Sequence, residues 1–216
     1  MGFIIGVLQS LIYVFLREIN WSIYASVPIC LAAGYLITGG LHIDGLMDTF
    51  DGIFAGPKKR FKAMKDSKVG SFGVQSLFFI TLIQIACLLK IKDQIIYILP
   101  ICLFWGRFST LIYIENYKYI TYKKKSVSHK KNWKGLKNES LVSLVFLTAL
   151  IFYYLITYES NEILIKNLLI TLSGLFISYK IPKILGNIIG GFNGDSCGAS
   201  VVIVETIILF IYSILL

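Results

Sequence analysis

The chain has 216 residues, of which 56% are hydrophobic and 15% charged, and its net charge is +9. A soluble domain of this size would need far more polar residues to cover its surface, so the composition excludes an ordinary soluble protein. The positive charge alone is compatible with nucleic acid, but the apolar bulk favours an anionic membrane surface and no nucleic-acid partner. We therefore predict an all-α integral membrane protein with a single domain over residues 1–216.

Seven apolar segments approach the roughly 17–25 residues that a helix needs to cross a bilayer. They cover residues 2–16, 21–38, 69–89, 95–114, 140–157, 163–185 and 199–216. The first segment has neither the basic start nor the small-residue cleavage site of a signal peptide, so we expect it to span the membrane. The sequence thus predicts a polytopic bundle of about seven transmembrane helices in contact with the lipid bilayer.

Two loops carry most of the basic charge and predict the orientation of the bundle. Residues 57–68 contain six Lys and Arg and residues 115–139 contain eight, together 14 of the 21 in the chain. With seven spans these loops lie on one side, which the positive-inside rule makes the cytoplasm. Residues 186–198 fall on the same side, so we expect a multi-pass protein of the cell (inner) membrane.

Residues 39–56, which read GGLHIDGLMDTFDGIFAG, contain three aspartates between the second and third segments. On a helix, with 100° per residue, Asp48 and Asp51 lie within about 40° of Asp44. Close carboxylates repel one another unless a cation lies among them. Oxygen ligands suit Mg²⁺, so we predict that Asp44, Asp48 and Asp51 bind this ion. Solvated acids beside the membrane, or the ion site of a cation transporter, are the alternatives.

A second stripe lies beside the aspartates on the same helical projection. Gly45, Gly52 and Gly56 project at about 80° to 120° from Asp44. Small residues let membrane helices approach closely. We therefore expect this glycine seam to pack against a neighbouring helix while the aspartates face a cavity. His42 projects at about 160° from Asp44 and is not expected to share the metal.

Two further stretches on the predicted cytoplasmic side suit phosphate. Residues 64–74, MKDSKVGSFGV, place Asp66 between Lys65 and Lys68, and residues 186–200 read GNIIGGFNGDSCGAS. Ammonium groups and the backbone amides of glycine-rich turns bind phosphate. A basic loop for lipid headgroups and a polar cap on the last span are the alternatives. Because five of the six Asp lie in these three stretches, we predict one shared site.

Arg107 lies inside the fourth segment, where a charged side chain should face protein rather than lipid. It either binds a substrate phosphate or pairs with an Asp or with Glu115. Glu205, inside the last segment, has the same two interpretations.

Four motifs, in order and spacing, resemble the cobalamin synthase family, adenosylcobinamide-GDP ribazoletransferase, over residues 2–210. They are TGGLHIDGLMDTFD at 38–51, MKDSKVGSFGV at 64–74, GR at 106–107 and GGFNGDSCGA at 190–199. Lys68 stands where the family has Arg, Asn193 where it has Thr, and Cys197 where it has Leu. The family also carries residues ahead of the segment that resembles the first span here.

The resemblance implies a transferase that joins α-ribazole, or α-ribazole 5′-phosphate, to adenosylcobinamide-GDP and releases GMP, a late step of vitamin B12 assembly. It implies Mg²⁺ on Asp44, Asp48 and Asp51, and a proton acceptor in Asp66 or Asp195. The full set of implied residues is catalytic Asp48, Asp51, Asp66 and Asp195, and phosphate-binding Lys65, Lys68, Arg107, Gly191, Asn193 and Gly194. The oligomeric state is left open, a homo-oligomer included.

Two other classes of membrane protein are compatible with the acidic stripe. Phosphatidyl-alcohol synthases and related Mg²⁺-dependent phospho-alcohol transferases usually carry Asp-Gly-x2-Ala-Arg, whereas this chain has Met47-Asp48 at the corresponding place. Cation transporters place acids at mid-membrane and commonly show paired repeats. We find no internal repeat in the sequence, and the aspartates cluster at one face.

Overall fold

The computed structural model describes residues 1–120, 133–157 and 161–216. Within these ranges the chain is helical, and the bounds below replace the predicted ones. The helices are α1 (Gly2–Glu18), α2 (Ile23–Ile37), α3 (Leu41–Phe54), α4 (Arg60–Ala63), α5 (Ser71–Ile91), α6 (Ile95–Asn116), α7 (Leu136–Thr157), α8 (Asn161–Ile189) and α9 (Gly194–Leu215). Each of the seven predicted segments coincides with a helix, and the all-α membrane fold is confirmed.

Length and composition qualify three described segments as membrane spans, Ser71–Asn116, Leu168–Ile189 and Gly194–Leu215. A fourth is added if α2 and α3, which meet at 88°, form one broken span. The number of about seven crossings therefore stays a prediction. Part of the predicted basic loop, residues 121–132, lies outside the described residues, as do residues 158–160.

The longest of these segments is a hairpin rather than one helix. Its 46 residues would extend about 69 Å at 1.5 Å per residue, about twice the hydrocarbon thickness of a bilayer. A 3-10 turn, Lys92–Gln94, separates α5 from α6, and Lys92 has φ of 55°. Side-chain contacts from α9 fix the directions. Thr206 and Ser213 contact Gln84 and Cys87 of α5. Ser200 contacts Ser109 of α6, and Tyr212 contacts Gln94 in the turn just before α6. Thus α5 runs parallel and α6 antiparallel to α9.

The core surrounds α6, which packs on α1, α8 and α9. Trp105 is 1% exposed and lies over Gly174 of α8, where a Cβ atom would come within 2.3 Å of the indole ring. Gly6 of α1 similarly lies against the backbone of Pro100. Large apolar side chains such as Phe79, Phe176 and Phe210 remain exposed along the outer helix faces. Because a bilayer would cover such faces, this pattern is that of a membrane bundle.

Candidate active site

The acidic stretch enters the bundle through two glycines in the left-handed region. Gly39 and Gly40 have φ of 65° and 71°, a conformation that costs a glycine little. They produce the 88° bend between α2 and α3. The acid-bearing helix α3 therefore crosses the end of α2 instead of continuing it. With 14 residues, α3 is about 21 Å long, too short to cross a bilayer alone.

The predicted helix over the three aspartates is confirmed, and it meets the start of α9. A Cβ atom on Gly45 would lie 2.6 Å from the carbonyl oxygen of Asp195, so only glycine permits this approach. Burial, and then the carboxylates of Asp44, Asp195 and Asp51, raise the pKa of Asp48 to about 6. The structure therefore brings the aspartate of the glycine-rich stretch beside those of α3.

Asp51 has a clear structural role. Its two carboxylate oxygens accept hydrogen bonds from the backbone amides of Gly70, at 2.8 Å, and Gly73, at 2.7 Å. These amides belong to the start of α5, where the helix leaves its own donors unsatisfied. Asp51 thus ties α3 to α5 and to the basic stretch before it. A ligating carboxylate can also be hydrogen-bonded, so this contact leaves the metal prediction for Asp51 untested.

The glycine seam is confirmed at two of its three positions. Besides Gly45, Gly52 packs closely. A Cβ atom added at this position would lie 2.3 Å from Cγ of Met64 and 3.1 Å from the carbonyl oxygen of Arg60. The prediction for Gly56 is wrong. The helix ends at Phe54, and Gly56 has φ of 79° with open space around a Cβ atom. Position 56 therefore no longer follows the helical register.

The basic stretch forms a turn that ends at α5. Lys65, Asp66 and Lys68 are exposed, and Asp66 accepts a hydrogen bond of 3.0 Å from the backbone amide of Lys68. Lys65 lines a cavity with Asn193 and Asp195. Of the two predicted proton acceptors, Asp195 therefore lies at the cavity, while the hydrogen bond of Asp66 is to its own turn.

The start of α9 lies five residues ahead of the predicted segment and includes Asp195 in its first turn. Asn193 caps this helix, accepting from the amide of Ser196 at 2.9 Å while the Ser196 hydroxyl accepts from the Asn193 amide at 3.0 Å. The Asn193 side chain also donates to Asp195 at 2.9 Å. Asn193 thus holds the Asp195 carboxylate at a helix N-terminus, where negative charge is stabilised.

Gly191 and Gly194, both predicted to bind phosphate, differ in their surroundings. Gly191 is buried, and a Cβ atom there would lie 2.6 Å from the carbonyl oxygen of Lys118 and from Ile120. It permits the close approach of the chain after α6. Gly194 is exposed, has open space around a Cβ atom, and lines the cavity with Lys65.

Arg107 is not at this cavity. It forms an ion pair with Glu205 of α9, so its acidic partner is neither an Asp nor Glu115 as the sequence suggested. Glu205 follows Asp195 by ten residues, about 15 Å along the helix. Arg107 instead lines an interior cavity with His42 and Gln84. A role of Arg107 in binding phosphate remains untested.

The cavity near Lys65 is also lined by residues that no sequence motif indicated. It has a volume of about 300 Å³, and its described lining is Phe61, Met64, Lys65, Tyr119, Ile120, Asn193, Gly194 and Asp195. Tyr119 and Ile120 lie in the loop after α6, which the sequence identified only as basic. Their position depends on a single β-bridge between Tyr119 and Phe192, a non-local pairing without a sequence signal.

The groups available to a ligand at this end of the bundle are carboxylate oxygens, with ammonium and amide groups nearby. Among the described residues, no group of three or more His, Cys, Asp or Glu side chains is placed to hold a metal ion. The carboxylates of Asp44, Asp48 and Asp195 nevertheless interact electrostatically. Such a set suits a hard cation that takes one or two protein carboxylates and completes its shell with water and phosphate.

Comparison with known proteins gives one consistent result. The protein family described as Cobalamin-5-phosphate synthase matches residues 1–213. An adenosylcobinamide-GDP ribazoletransferase of Prochlorococcus marinus strain SARG is 44% identical over 100% of this chain and 83% of its own length. Proteins of the same name from Prochlorococcus marinus strain MIT 9313 and Trichormus variabilis are 35% and 30% identical, over 100% and 99% of this chain and 84% of their own lengths. No solved structure matches the chain.

Proposed function

The chain belongs to the cobalamin-5-phosphate synthase family, and from this premise we propose that it joins α-ribazole, or α-ribazole 5′-phosphate, to adenosylcobinamide-GDP with release of GMP. The name of its relatives supports adenosylcobinamide-GDP as one substrate and a transferase reaction. The observation that carries the assignment is the meeting of α3 and α9 at Gly45, which places Asp195 beside Asp44 and Asp48 next to an open cavity.

The reaction is a displacement at phosphorus. A ribose hydroxyl oxygen of α-ribazole, or of its 5′-phosphate, forms a bond to the phosphorus that carries cobinamide. The bond from this phosphorus to the bridging oxygen breaks, and GMP leaves with the bonding electron pair. The hydroxyl proton passes to a carboxylate. The product is adenosylcobalamin or its 5′-phosphate.

Asp195 is the proton acceptor that the geometry favours. It lines the cavity, and one of its carboxylate oxygens is held at 2.9 Å by the side-chain amide of Asn193. A positioned carboxylate can receive a proton only within hydrogen-bond reach of the attacking hydroxyl, and the cavity offers this access. Lys65 at the same cavity provides positive charge for a phosphate oxygen. Lys68 lies three residues further along the exposed turn and adds a second ammonium group to this basic stretch.

Asp44, Asp48 and Asp51 are the residues that would hold Mg²⁺, and the amides of Gly70 and Gly73 orient the Asp51 carboxylate. When bound, the ion would screen the pyrophosphate and stabilise the charge on the departing phosphate. Burial and then the neighbouring carboxylates raise the pKa of Asp48, and a bound cation would favour its ionised form. We propose that the reaction takes place at the membrane surface, on the side that the basic loops of the sequence predict to be cytoplasmic.

The test measures product formation by mass spectrometry, using purified protein in nanodiscs with both substrates and Mg²⁺. We expect Asp48→Ala to lower the rate by at least about 100-fold while the protein stays folded. Asp93→Ala is the matched control, because Asp93 lies in the 3-10 turn at the opposite end of α5 and should leave the rate unchanged. Equal rates for the two variants would overturn the assignment of the site.

A further inference from the structure

The cavity beside Asp195 has a fixed aromatic wall. Tyr119 pairs with Phe192 in a parallel β-bridge, supported by hydrogen bonds from the Ile120 amide to the Phe192 carbonyl at 2.8 Å and from the Phe192 amide to the Lys118 carbonyl at 3.0 Å. The rings of Tyr119 and Phe192 meet edge to face, with centroids 5.1 Å apart. Phe192 itself is 3% exposed and belongs to the core. The Tyr119 ring is therefore held in place before any ligand binds.

The lining of this cavity divides into two parts of different chemistry. The side chains of Phe61, Met64 and Ile120 provide an apolar part without hydrogen-bonding groups, and the Tyr119 ring borders it. The other part consists of Asn193, Asp195 and Lys65, with amide, carboxylate and ammonium groups. A ligand with a flat apolar end and a hydroxylated polar end would complement both parts.

The size of the cavity limits the ligand to one nucleoside. About 300 Å³ is at the lower end of the range for small-molecule sites, roughly 300–1,000 Å³, and is far too small for a corrin ring. Two nucleosides take part in the proposed reaction, α-ribazole and the guanosine of the GDP group. Guanine presents a row of hydrogen-bond donors and acceptors. Against Met64 and Ile120 these groups would have no partner, which would weaken binding. The dimethylbenzimidazole of α-ribazole presents methyl groups at that edge.

We propose that the cavity formed by Phe61, Met64, Tyr119 and Ile120 on one side and Asn193 to Asp195 on the other is the binding site for α-ribazole. The benzimidazole lies against the Tyr119 and Phe61 rings, and the ribose faces Asp195. This inference rests on the proposed function, because the ribose of the bound α-ribazole supplies the hydroxyl that Asp195 deprotonates. It makes Tyr119 and Phe61 determinants of acceptor specificity rather than of phosphate binding.

The test is a separate measurement of KM for each substrate in Tyr119→Ala. Stacking of a base on an aromatic ring contributes enough that its loss should raise KM for α-ribazole about 5- to 140-fold. KM for adenosylcobinamide-GDP should stay unchanged, and Tyr119→Phe should restore the wild-type value for α-ribazole. Phe61→Ala provides a second variant that does not touch the β-bridge. Tyr179→Ala, at an exposed tyrosine of α8, is the matched control.

Failure of this inference can be distinguished from failure of the proposed function. If KM rises for adenosylcobinamide-GDP alone, the cavity binds the guanosine. If KM is unchanged for both substrates, neither base binds there. Either result overturns the inference while wild-type turnover upholds the proposed function. If the wild type shows no turnover, calorimetric binding of α-ribazole decides: weaker binding in Tyr119→Ala supports the site, and equal binding overturns it.

Discussion

Gly45→Ala tests whether the close contact between α3 and α9 builds the active site. The added Cβ atom would lie 2.6 Å from the carbonyl oxygen and 2.9 Å from Cα of Asp195, whereas ordinary contact begins at 3.4 Å. The two helices must therefore separate by about 0.8 Å. Both obstructing atoms belong to the backbone, so no side-chain rotation relieves the overlap. Such overpacking costs about 1–3 kcal/mol of stability.

The effect on turnover should be larger than the effect on stability suggests. A displacement of about 1 Å between reacting groups can lower a rate by about 100-fold, and here the displaced group is Asp195 relative to Asp44 and Asp48. We expect kcat for GMP release to fall by about that factor in nanodisc-embedded Gly45→Ala. Thermal unfolding, monitored in parallel, should show that the variant remains folded at the assay temperature.

Gly6→Ala is the matched control for this experiment. Its Cβ atom would lie 2.5 Å from Cα of Pro100, so it forces a similar separation of α1 from α6, away from the three acidic and basic stretches. We expect Gly6→Ala to lose a similar amount of stability but to release GMP at a rate within about threefold of wild type. Repacking far from the site should change the activation free energy of the reaction only slightly. Similar rate losses in both variants, or a wild-type rate in Gly45→Ala, would refute the argument.

Two further predictions concern charged contacts. Arg107→Met should destabilise the protein by about 3–5 kcal/mol because it leaves Glu205 unpaired, while the double variant Arg107→Met with Glu205→Leu should recover much of the midpoint temperature. No recovery in thermal unfolding would argue against a structural ion pair. Asp51→Asn should lower stability by about 1.5–3 kcal/mol, because one of the amides of Gly70 and Gly73 keeps only a neutral acceptor and the other faces the Asn NH2 group, a donor. An unchanged midpoint would contradict this role.

The helices were predictable because their signals are local. Long apolar runs determine the helices that form the bundle, and the spacing of three aspartates, which falls on one face of a helix, correctly indicated that α3 is a helix. Helix ends were less accurate, since α9 begins at Gly194 through the cap provided by Asn193. A cap of this kind starts the helix before its apolar residues, whereas hydropathy indicates a boundary only where the apolar run begins.

The site was predictable in its stretches but not in its contacts. The sequence grouped Asp195 with Asp44 and Asp48 through their shared side of the membrane, and the structure places them together. It could not show that Asp51 accepts the amides of α5, because that contact depends on how two helices pack. The position of Tyr119 depends on a bridge to Phe192, 73 residues further along the chain, and such pairings have no local pattern.

The most direct test of the proposed reaction is the initial rate of GMP release by the purified protein in nanodiscs. Adenosylcobinamide-GDP, α-ribazole and Mg²⁺ are supplied together, and each is then omitted in turn. The account predicts GMP release only when both organic substrates are present, and a rate that falls when Mg²⁺ is chelated. GMP release that does not require α-ribazole would identify a hydrolase, and no release from folded, fully supplied protein would contradict the proposed function.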